Sequence, residues 1–421
     1  MRRFRLFFFL LVCCLAWQTS AGGERDDLLQ VHGFVLGSVS ARIAGEGPTG
    51  SGDFILGEER VHLEIAKASE EGNAFILVKS DLFHDAVANE IHADLREAYA
   101  GYMQGPLELR LGRQILTWGT GDLFFVNDVF PKDWDSFFSG RPMDYFKLGV
   151  DALRMQHSSR AMNIDLVAAP LFTPDELPNS ERFFLYDPFP LTTDRREDTP
   201  EVRFSNTELA LHLYRQVAGA DVSFHAYRGF WRFPGLRPDD QIPPATMTQF
   251  YSRLSVYGFS VQRNLLGGVG SLEAGYYDSR DDRSGCDPMI PNSQWRLLAA
   301  YQRQLAEDFL AGFQAYGERM GDYGAYGRAL PPGIARQDRL RGVLSVRLTK
   351  LLEYQTWKLS VFSAYSPTDQ DYFVRPEASY KVNDEISVSI GANLFGGWND
   401  TSFFGQLRKD DNVFLNGRYD F

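Results

Sequence analysis

The last nine residues, Val413-Phe414-Leu415-Asn416-Gly417-Arg418-Tyr419-Asp420-Phe421, alternate between two kinds of side chain. One face carries Val413, Leu415, Tyr419 and Phe421, and the other carries Asn412, Asn416, Arg418 and Asp420. A period of two residues indicates a β-strand with an apolar side and a side in contact with water. The chain therefore ends in a strand whose final residue is an aromatic on the apolar face.

A terminal strand of this kind resembles the closing strand of bacterial outer-membrane β-barrels, in which the assembly machinery reads such a segment. The resemblance implies that Tyr419 and Phe421 form an assembly signal. It also implies that the chain meets the barrel-assembly machinery, outer-membrane lipid and lipopolysaccharide.

The N-terminus agrees with export from the cytoplasm. Arg2, Arg3 and Arg5 precede an apolar run over 6–17, and the small residues Thr19 and Ala21 suit cleavage after Ala21. Such an arrangement is typical of a secretory signal peptide and is too short to span a bilayer stably. We expect a signal peptide at 1–21 and a single barrel domain at 22–421. A lipoprotein signal at Cys13 or Cys14 is the alternative, and the residues before each cysteine do not favour it.

Composition excludes several classes of protein. The formal net charge of −12 argues against nucleic acid as a partner. After the predicted cleavage Cys286 is the one cysteine left, so neither a disulfide framework nor a cysteine metal site is expected. We expect no cofactor and no metal. Beyond the signal no uncharged apolar stretch reaches about 18 residues, whereas 14% of all residues are aromatic. A membrane barrel has this profile, because its apolar signal is hidden in alternation.

Reading the sequence for period two predicts about eighteen strands, within a range of about 16 to 18. The predicted strands are 30–42, 57–68, 74–84, 94–103, 107–118, 148–157, 161–169, 204–216, 219–231, 249–263, 268–280, 293–305, 308–320, 337–350, 354–366, 370–382, 385–396 and 411–421. The fold class predicted is all-β: a transmembrane antiparallel β-barrel.

The gaps between predicted strands alternate in length. Long gaps such as 119–147 and 170–203 are separated by short turns such as the one at Gln104-Gly105-Pro106. Short turns at one end and long loops at the other are typical of an outer-membrane barrel with periplasmic turns. Strand faces also alternate, with Leu344 and Ile390 predicted to face lipid. In 107–118 the alternation slips at Arg113, and we expect a β-bulge at Gly112 to turn Arg113 inward.

The segment 119–147 stands apart because it is long, aromatic and follows the fifth strand. We expect this third outside loop to fold into the lumen and narrow it. The run Leu109-Arg110-Leu111-Gly112-Arg113-Gln114, followed by Trp118-Gly119 and Asp122, resembles a segment of alginate-export-type porins, and general porins also fold their third loop inward. The candidate constriction residues are Asp122, Asp128, Asp133, Asp135, Arg141 and Lys147.

Strand parity predicts a lumen wall weighted toward arginine. Its candidate residues are Arg110, Arg113, Arg154, Arg253, Arg339, Arg341, Arg347, Arg375 and Glu108. Acidic loop residues opposite such a wall would set a transverse field and bias ion selectivity. The alternatives are that the loop aspartates cap turns and that the wall charges form neighbouring ion pairs. The acidic cluster in 170–203 is expected to be solvated, with a divalent cation bridging to lipopolysaccharide as the alternative.

These features predict a porin in the outer membrane of a Gram-negative bacterium, passing small solutes, with anionic or amphipathic solutes as candidates. The sequence leaves open whether the protein is a trimer or a monomer. One alternative is a structural barrel around a partner in an export or porin–cytochrome complex. A remote alternative is a rim lipase or deacylase, for which His84, His92 and His157 offer no partner serine by spacing. We expect no enzyme.

Overall fold

A computed structural model describes residues 29–43, 45, 47–48, 52–241 and 243–421. The predicted signal peptide, 1–21, lies outside the described residues, as do Cys13 and Cys14.

The regular secondary structure of the described chain is almost entirely β-strand. Its strands are β1 Leu29–Arg42, β2 Phe54–Ala68, β3 Ala74–Asp85, β4 Glu90–Gln104, β5 Leu107–Ile115, β6 Gly149–His157, β7 Asn163–Ala169, β8 Asp194–Asp198, β9 Glu208–Val217, β10 Ala220–Phe230, β11 Gly235–Pro238, β12 Thr246–Phe250, β13 Arg253–Leu265, β14 Gly268–Ser279, β15 Gln294–Ala306, β16 Phe309–Met320, β17 Leu340–Leu352, β18 Trp357–Ser366, β19 Asp371–Lys381, β20 Ile386–Gly397 and β21 Asn412–Asp420. Two short α-helices, α1 Trp134–Ser139 and α2 Tyr323–Ala329, and 3₁₀ turns at Met143–Tyr145, Phe204–Asn206 and Gly405–Leu407 complete the structure.

Eighteen of these strands form one closed antiparallel barrel, as predicted. Each barrel strand pairs with its neighbours along the chain, and β1 pairs with both β2 and β21. The closing pair runs from Phe34 opposite Asp420 to Arg42 opposite Asn412. The remaining strands β8, β11 and β12 form a separate three-stranded sheet. Closure leaves no unpaired barrel edge, which is the condition for a sheet to lie in lipid.

The two ends of the barrel differ in their connections. One end, called here the long-loop end, carries 116–148, 170–207, 231–252, 280–293, 321–339 and 398–411. The other, the short-turn end, carries turns such as 105–106, 218–219 and 307–308. Two connections at the long-loop end, 86–89 and 367–370, have only four residues each. The predicted sorting by length is therefore confirmed, with these two exceptions.

Apolar residues of the predicted outward face are exposed, whereas their neighbours point into the barrel. On β17 Leu344 is 54% exposed while Val343 is buried, and on β20 Ile390 is 52% exposed while Asn393 is buried. A barrel with lipid outside and polar groups inside requires this alternation. Among the described residues no helix is long and apolar enough to cross a membrane.

The bulge predicted at Gly112 is wrong. Register runs without a shift through Gly112 on both sides of β5, so Arg113 keeps the phase of the outward Leu111. Arg113 lies opposite Asp151 of β6, and its Nη1 atom is 3.2 Å from the Asp151 carboxylate. The local irregularity lies instead in β4, where the pairing with β3 skips Arg96. An ion pair near the strand end thus neutralises Arg113 without turning it inward.

Two other residues predicted for the lumen wall lie elsewhere. Arg253 is the first residue of β13 and is exposed. It lies on the same outward face as the exposed Tyr257, whereas the buried Leu254 and Val256 point into the barrel. Arg339 precedes β17 and is also exposed. Both misplacements occur at strand ends, where period two no longer fixes which way a side chain points.

Candidate functional site

The connection between β5 and β6, residues 116–148, lies inside the barrel and is called here the lumen segment. Phe124, Trp134, Phe137 and Phe138 belong to a buried cluster with inward residues of β15–β20, such as Phe373. On the opposite side, a second cluster joins the segment to inward residues of the wall from β6 to β14. Its members include Leu116, Trp118, Phe130, Val150, Tyr227 and Val256. The segment therefore spans the lumen and packs on both sides, as its aromatic composition predicts.

Helix α1 gives this segment its fixed shape. Asp133 is its N-cap, and the Asp133 carboxylate accepts a hydrogen bond from Ser136 N at 2.7 Å. The helix ends at Gly140, which has a φ of 92° in the left-handed region. A Cβ atom added at Gly140 would lie 2.5 Å from Phe414 Cγ on β21. Glycine is needed there for both its backbone conformation and its close approach to the wall.

Wall side chains satisfy the carbonyl groups at the end of α1. Asn393 and Asn412 donate to Phe138 O at 2.9 and 3.2 Å, and Asn416 donates to Gly140 O at 3.2 Å. Arg375 Nη1 donates to Phe137 O at 2.9 Å. A helix C-terminus leaves its last carbonyls unpaired, so these donors dock the helix on β19–β21.

A chain of buried charges ties the other side of α1 to β2 and β3. Arg141 bridges Asp135 at 3.3 Å and Glu58 of β2 at 3.0 Å. Glu58 in turn contacts Arg60 at 2.6 Å, and Arg60 contacts Asp81 at 2.6 Å. Removing one partner of a buried pair leaves an uncompensated charge, so this network acts as one structural unit.

The middle of the lumen segment carries its own counter-ions. Asp128 contacts Lys132 at 3.2 Å and Lys147 at 3.3 Å. Lys132 is buried and also donates Nζ to Phe130 O at 2.6 Å. Burial lowers the pKa of Lys132, although Asp128 and Asp175 oppose the change.

The next long connection, 170–207, covers the lumen segment. Asp175 accepts hydrogen bonds from Lys132 N at 2.8 Å and from Trp134 Nε1 at 3.2 Å, and Phe183 is fully buried in the first cluster. Burial raises the pKa of Glu176 to about 7, and the negative charge of Asp133 adds to the effect. Burial likewise raises the pKa of Asp133 to about 6, with Asp135 contributing and Arg141 opposing.

The start of the lumen segment is held by β14. Glu273 accepts from Thr120 Oγ1 at 2.7 Å and from Asn127 Nδ2 at 3.0 Å. Tyr277, four residues along the same inward face, donates its hydroxyl to Val126 O at 2.8 Å. Both anchors are inward residues of one strand, so β14 sets the height at which the segment enters the lumen.

Asp122 of this segment reaches the opposite wall. Its carboxylate contacts Arg347 of β17 at 2.9 Å, and the two side chains are 37% and 35% exposed. The pair borders a cavity of about 180 Å³ that Thr120, Ser271 and Gln314 also line. A partly exposed pair beside a cavity can exchange partners with a solute, whereas the buried pairs above cannot.

Further predicted wall residues face the lumen and are paired. Arg110 contacts Glu108 at 2.6 Å, and its cross-strand neighbour Arg154 contacts Asp165 at 2.6 Å. Arg341 contacts Asp369 at 2.7 Å. The alternative of neighbouring ion pairs therefore describes these residues.

The four candidate aspartates do not all face the arginine wall. Of the four candidate aspartates, Asp122 is the one that faces a wall arginine, while Asp128 and Asp135 face cations of the lumen segment and Asp133 caps α1. Sequence reasoning missed the anchors Glu58, Asn393 and Asn412. Their inward phase was readable, but which loop atom each one meets depends on tertiary packing.

The acidic cluster in 170–203 carries no sign of a cation site. Asp194 and Glu197 lie in β8, where Asp194 contacts Arg196 and Glu197 accepts from the Tyr251 hydroxyl at 2.8 Å. Among the described residues no group of three or more His, Cys, Asp or Glu side chains is arranged to hold a metal ion.

Comparison of the fold with solved structures finds bacterial channels. OccAB2 of Acinetobacter baumannii matches with a TM-score of 0.56 and 10% identity over 95% of this chain and 99% of that chain. OccK2 (OpdF) of Pseudomonas aeruginosa in complex with glucuronate matches with a TM-score of 0.57, 9% identity and coverages of 95% and 99%. OpdK of Pseudomonas aeruginosa with vanillate matches with a TM-score of 0.56, 9% identity and coverages of 95% and 100%. The chain has the fold of outer-membrane porins.

At these identities the likeness establishes the porin-type fold and nothing finer. No protein-family model and no curated protein matches the sequence. The structures named above support a porin-type fold and do not bear on the alginate-export part of the predicted resemblance.

Proposed function

We propose that the protein is a passive channel in the outer membrane of a Gram-negative bacterium, selective for small anionic solutes such as carboxylates. The observation that carries this proposal is the Arg347–Asp122 pair, which is partly exposed at a cavity of the lumen. A solute carboxylate can replace Asp122 as the partner of Arg347. When Asp122 pairs with Arg347 again, the solute is released, so it binds without being held in the channel.

Aromatic rings beside the lumen arginines support a solute with an apolar part. The guanidinium of Arg347 lies 4.9 Å from the Phe362 ring centroid, and that of Arg110 lies 5.3 Å from the Tyr99 ring centroid. A small carboxylate with a sugar or aromatic ring can contact Arg110 and Tyr99 at once, because both are partly exposed, whereas Phe362 is buried. Glucuronate and vanillate in the two Pseudomonas complexes are solutes of this type.

The structural-sleeve alternative gains no observation in its favour. The lumen segment packs on the wall through two buried clusters, so a partner protein inside the barrel would have to displace it. The rim-enzyme alternative gains no observation in its favour either. His84 contacts Glu59 at 2.9 Å and His92 contacts Glu90 at 3.6 Å, so the observed partners of these two histidines are carboxylates and not serines.

The test is the reversal potential of the purified protein in a planar bilayer under a salt gradient. We expect discrete conductance steps and an anion-selective potential, and we expect Arg347→Gln to shift the potential toward cation selectivity. Lys350→Gln is the matched control, because Lys350 belongs to the same strand and its Nζ donates to Glu307 O in the short turn. Cation selectivity of the unmodified protein would refute the anionic preference. Absence of conductance, also after deletion of 119–147, would refute the channel.

A further inference from the structure

Two rows of aromatic side chains mark the outward face of the barrel. Toward the long-loop end, Tyr257, Tyr276 and Trp295 are successive cross-strand neighbours on β13, β14 and β15. Toward the short-turn end, Trp357 and Tyr380 are paired in the same way, with ring centroids 4.5 Å apart. Aromatic girdles of membrane barrels lie at the two boundaries between hydrocarbon and headgroups. The first row therefore marks the boundary on the long-loop side.

Three arginines lie beyond that row. Arg228 comes two residues after Ala226, the cross-strand partner of Tyr257, and Arg253 comes four residues before Tyr257 on the same face. At about 3.3 Å per residue, these steps place them roughly 7 and 13 Å past the row along the strands. Arg280 follows the last residue of β14, and its backbone N donates to Arg253 O at 2.9 Å. All three thus lie at the depth of lipid headgroups.

None of the three guanidinium groups makes an ion pair with a described residue. Arg228 and Arg253 are exposed and their side chains make no ion pair or hydrogen bond there. Arg280 donates Nη2 to Gly229 O at 3.0 Å, while its buried Nε has no partner in the described part of the chain. Burial, and then the charges of Arg228 and Arg253, lower the pKa of Arg280, while Asp281 and Asp278 oppose the change.

Nearby carboxylates are engaged elsewhere. Asp278 binds Arg283 through both oxygens, at 2.8 and 2.7 Å. Asp281 accepts a hydrogen bond from the backbone N of Arg253 at 2.7 Å. Asp282 accepts from the backbone N atoms of Ser284 and Asp287 at 3.1 and 2.6 Å. These carboxylates order the 280–293 connection. Asp281 and Asp278 also attract Arg280 electrostatically, but none of the three carboxylates forms an ion pair with Arg228, Arg253 or Arg280.

We propose that Arg228, Arg253 and Arg280 bind a phosphate group of an outer-leaflet lipid. Guanidinium groups bind phosphate through paired, charge-assisted hydrogen bonds. The wall beneath offers an apolar surface for the acyl chains: Leu209 lies opposite Arg228 and is 46% exposed, and Phe224 on the same face is 57% exposed. The site rests on the outer-membrane location proposed above, with the long-loop end outside, and is independent of what the lumen conducts.

The test measures binding of bisphosphorylated lipid A to the full mature barrel in detergent by native mass spectrometry. The variant is Arg228→Gln/Arg253→Gln, since both side chains are exposed and make no contact that folding requires. Arg263→Gln is the matched control, because Arg263 is an exposed arginine near the short-turn end of the same strand β13. We expect the double variant to bind lipid A at least ten-fold more weakly and the control to bind as the unmodified protein does.

Two further arms separate the sources of phosphate. Dephosphorylated lipid A should bind the unmodified protein as weakly as the double variant binds the intact lipid. Inorganic phosphate at equal concentration should not displace lipid A, because it lacks the acyl chains. Equal binding of lipid A by the double variant and the unmodified protein would overturn the site. Displacement by inorganic phosphate would overturn the assignment to a lipid. Conductance of the double variant should equal that of the unmodified protein, so a failure of the channel proposal appears in a different measurement.

Discussion

Replacement of Gly140 by alanine tests whether α1 is held against the wall as a rigid unit. A residue with a Cβ pays about 1–2 kcal/mol to adopt the left-handed conformation with a φ of 92°. The new Cβ would also lie 2.5 Å from Phe414 Cγ, and overpacking of this kind costs about 1–3 kcal/mol. Together the two effects predict a loss of about 2–5 kcal/mol in the docking of α1.

Gly219→Ala separates the two contributions. Gly219 has a φ of 75°, and a Cβ there would meet nothing within 4 Å. It should therefore show the conformational cost alone. Guanidinium unfolding in detergent, followed by tryptophan emission, compares the two variants, and single-channel conductance reports whether the lumen segment has moved. We expect Gly140→Ala to be clearly less stable than Gly219→Ala and to conduct more.

Equal stability of the two variants, with unchanged conductance, would show that α1 does not press on β21. The hydrogen bonds from Asn393, Asn412 and Asn416 would then have to be regarded as loose contacts. The comparison is informative because both glycines occupy the same backbone region and differ in what surrounds them.

Three other predictions follow from the same contacts. Glu58→Gln should lower the free energy of unfolding by about 1–3 kcal/mol, because it removes the carboxylate that Arg60 and Arg141 share, while Asp81 and Asp135 still pair with them. Glu64→Gln, at a pair with Lys79 that is about one-third exposed, should cost less than about 1 kcal/mol. Asp133 and Glu176 have pKa values raised to about 6 and about 7, so the folded state binds their protons more tightly than the unfolded state does. Docking of the lumen segment should therefore weaken as the pH rises from about 4 to about 8 and these carboxyl groups lose their protons. Hydrogen exchange of 130–140 measured across this pH range should show that weakening, and Glu176→Gln should reduce it; a pH-independent rate in the unmodified protein would contradict the argument. Phe421→Ala should reduce the amount of folded barrel in the outer membrane while leaving export across the inner membrane intact. The substitution keeps the two backbone hydrogen bonds with Gly33 but removes the terminal ring, which lies over Gly33 of β1 at the seam. Normal amounts of heat-modifiable barrel would refute the prediction.

The barrel itself could be predicted because its signal is local. Alternation along a strand depends on neighbours one and two residues away, so Leu344 and Ile390 reveal their face without knowledge of the partner strand. The same logic fails where strands end. Alternation extended beyond the residues that fix it wrongly predicts Arg253 and Arg339 in the lumen. The alternation also gives no sign of Asp151, the β6 residue that neutralises Arg113 where it stands.

The lumen segment illustrates a different limit. Its composition predicts burial, because a connection rich in Phe and Trp cannot lie free in water. Its partners could not be predicted, since they come from strands far apart in the chain: Glu58 from β2, Glu273 from β14 and Asn412 from β21. The sequence therefore predicts which wall residues point into the lumen. It does not predict which residue of the lumen segment each of them contacts, and that contact decides its role.

That pairing changes what the charges of the lumen can do. Arginines such as Arg60 and Arg141 are buried with fixed carboxylate partners, so their charge is cancelled locally and held in place. Arg347 and Asp122 keep about a third of their surface exposed, and their partners are free to exchange with a passing ion. Selectivity should therefore follow the few partly exposed pairs rather than the count of inward arginines. It follows that Arg347→Gln should shift the reversal potential more than loss of a buried arginine that leaves the barrel folded.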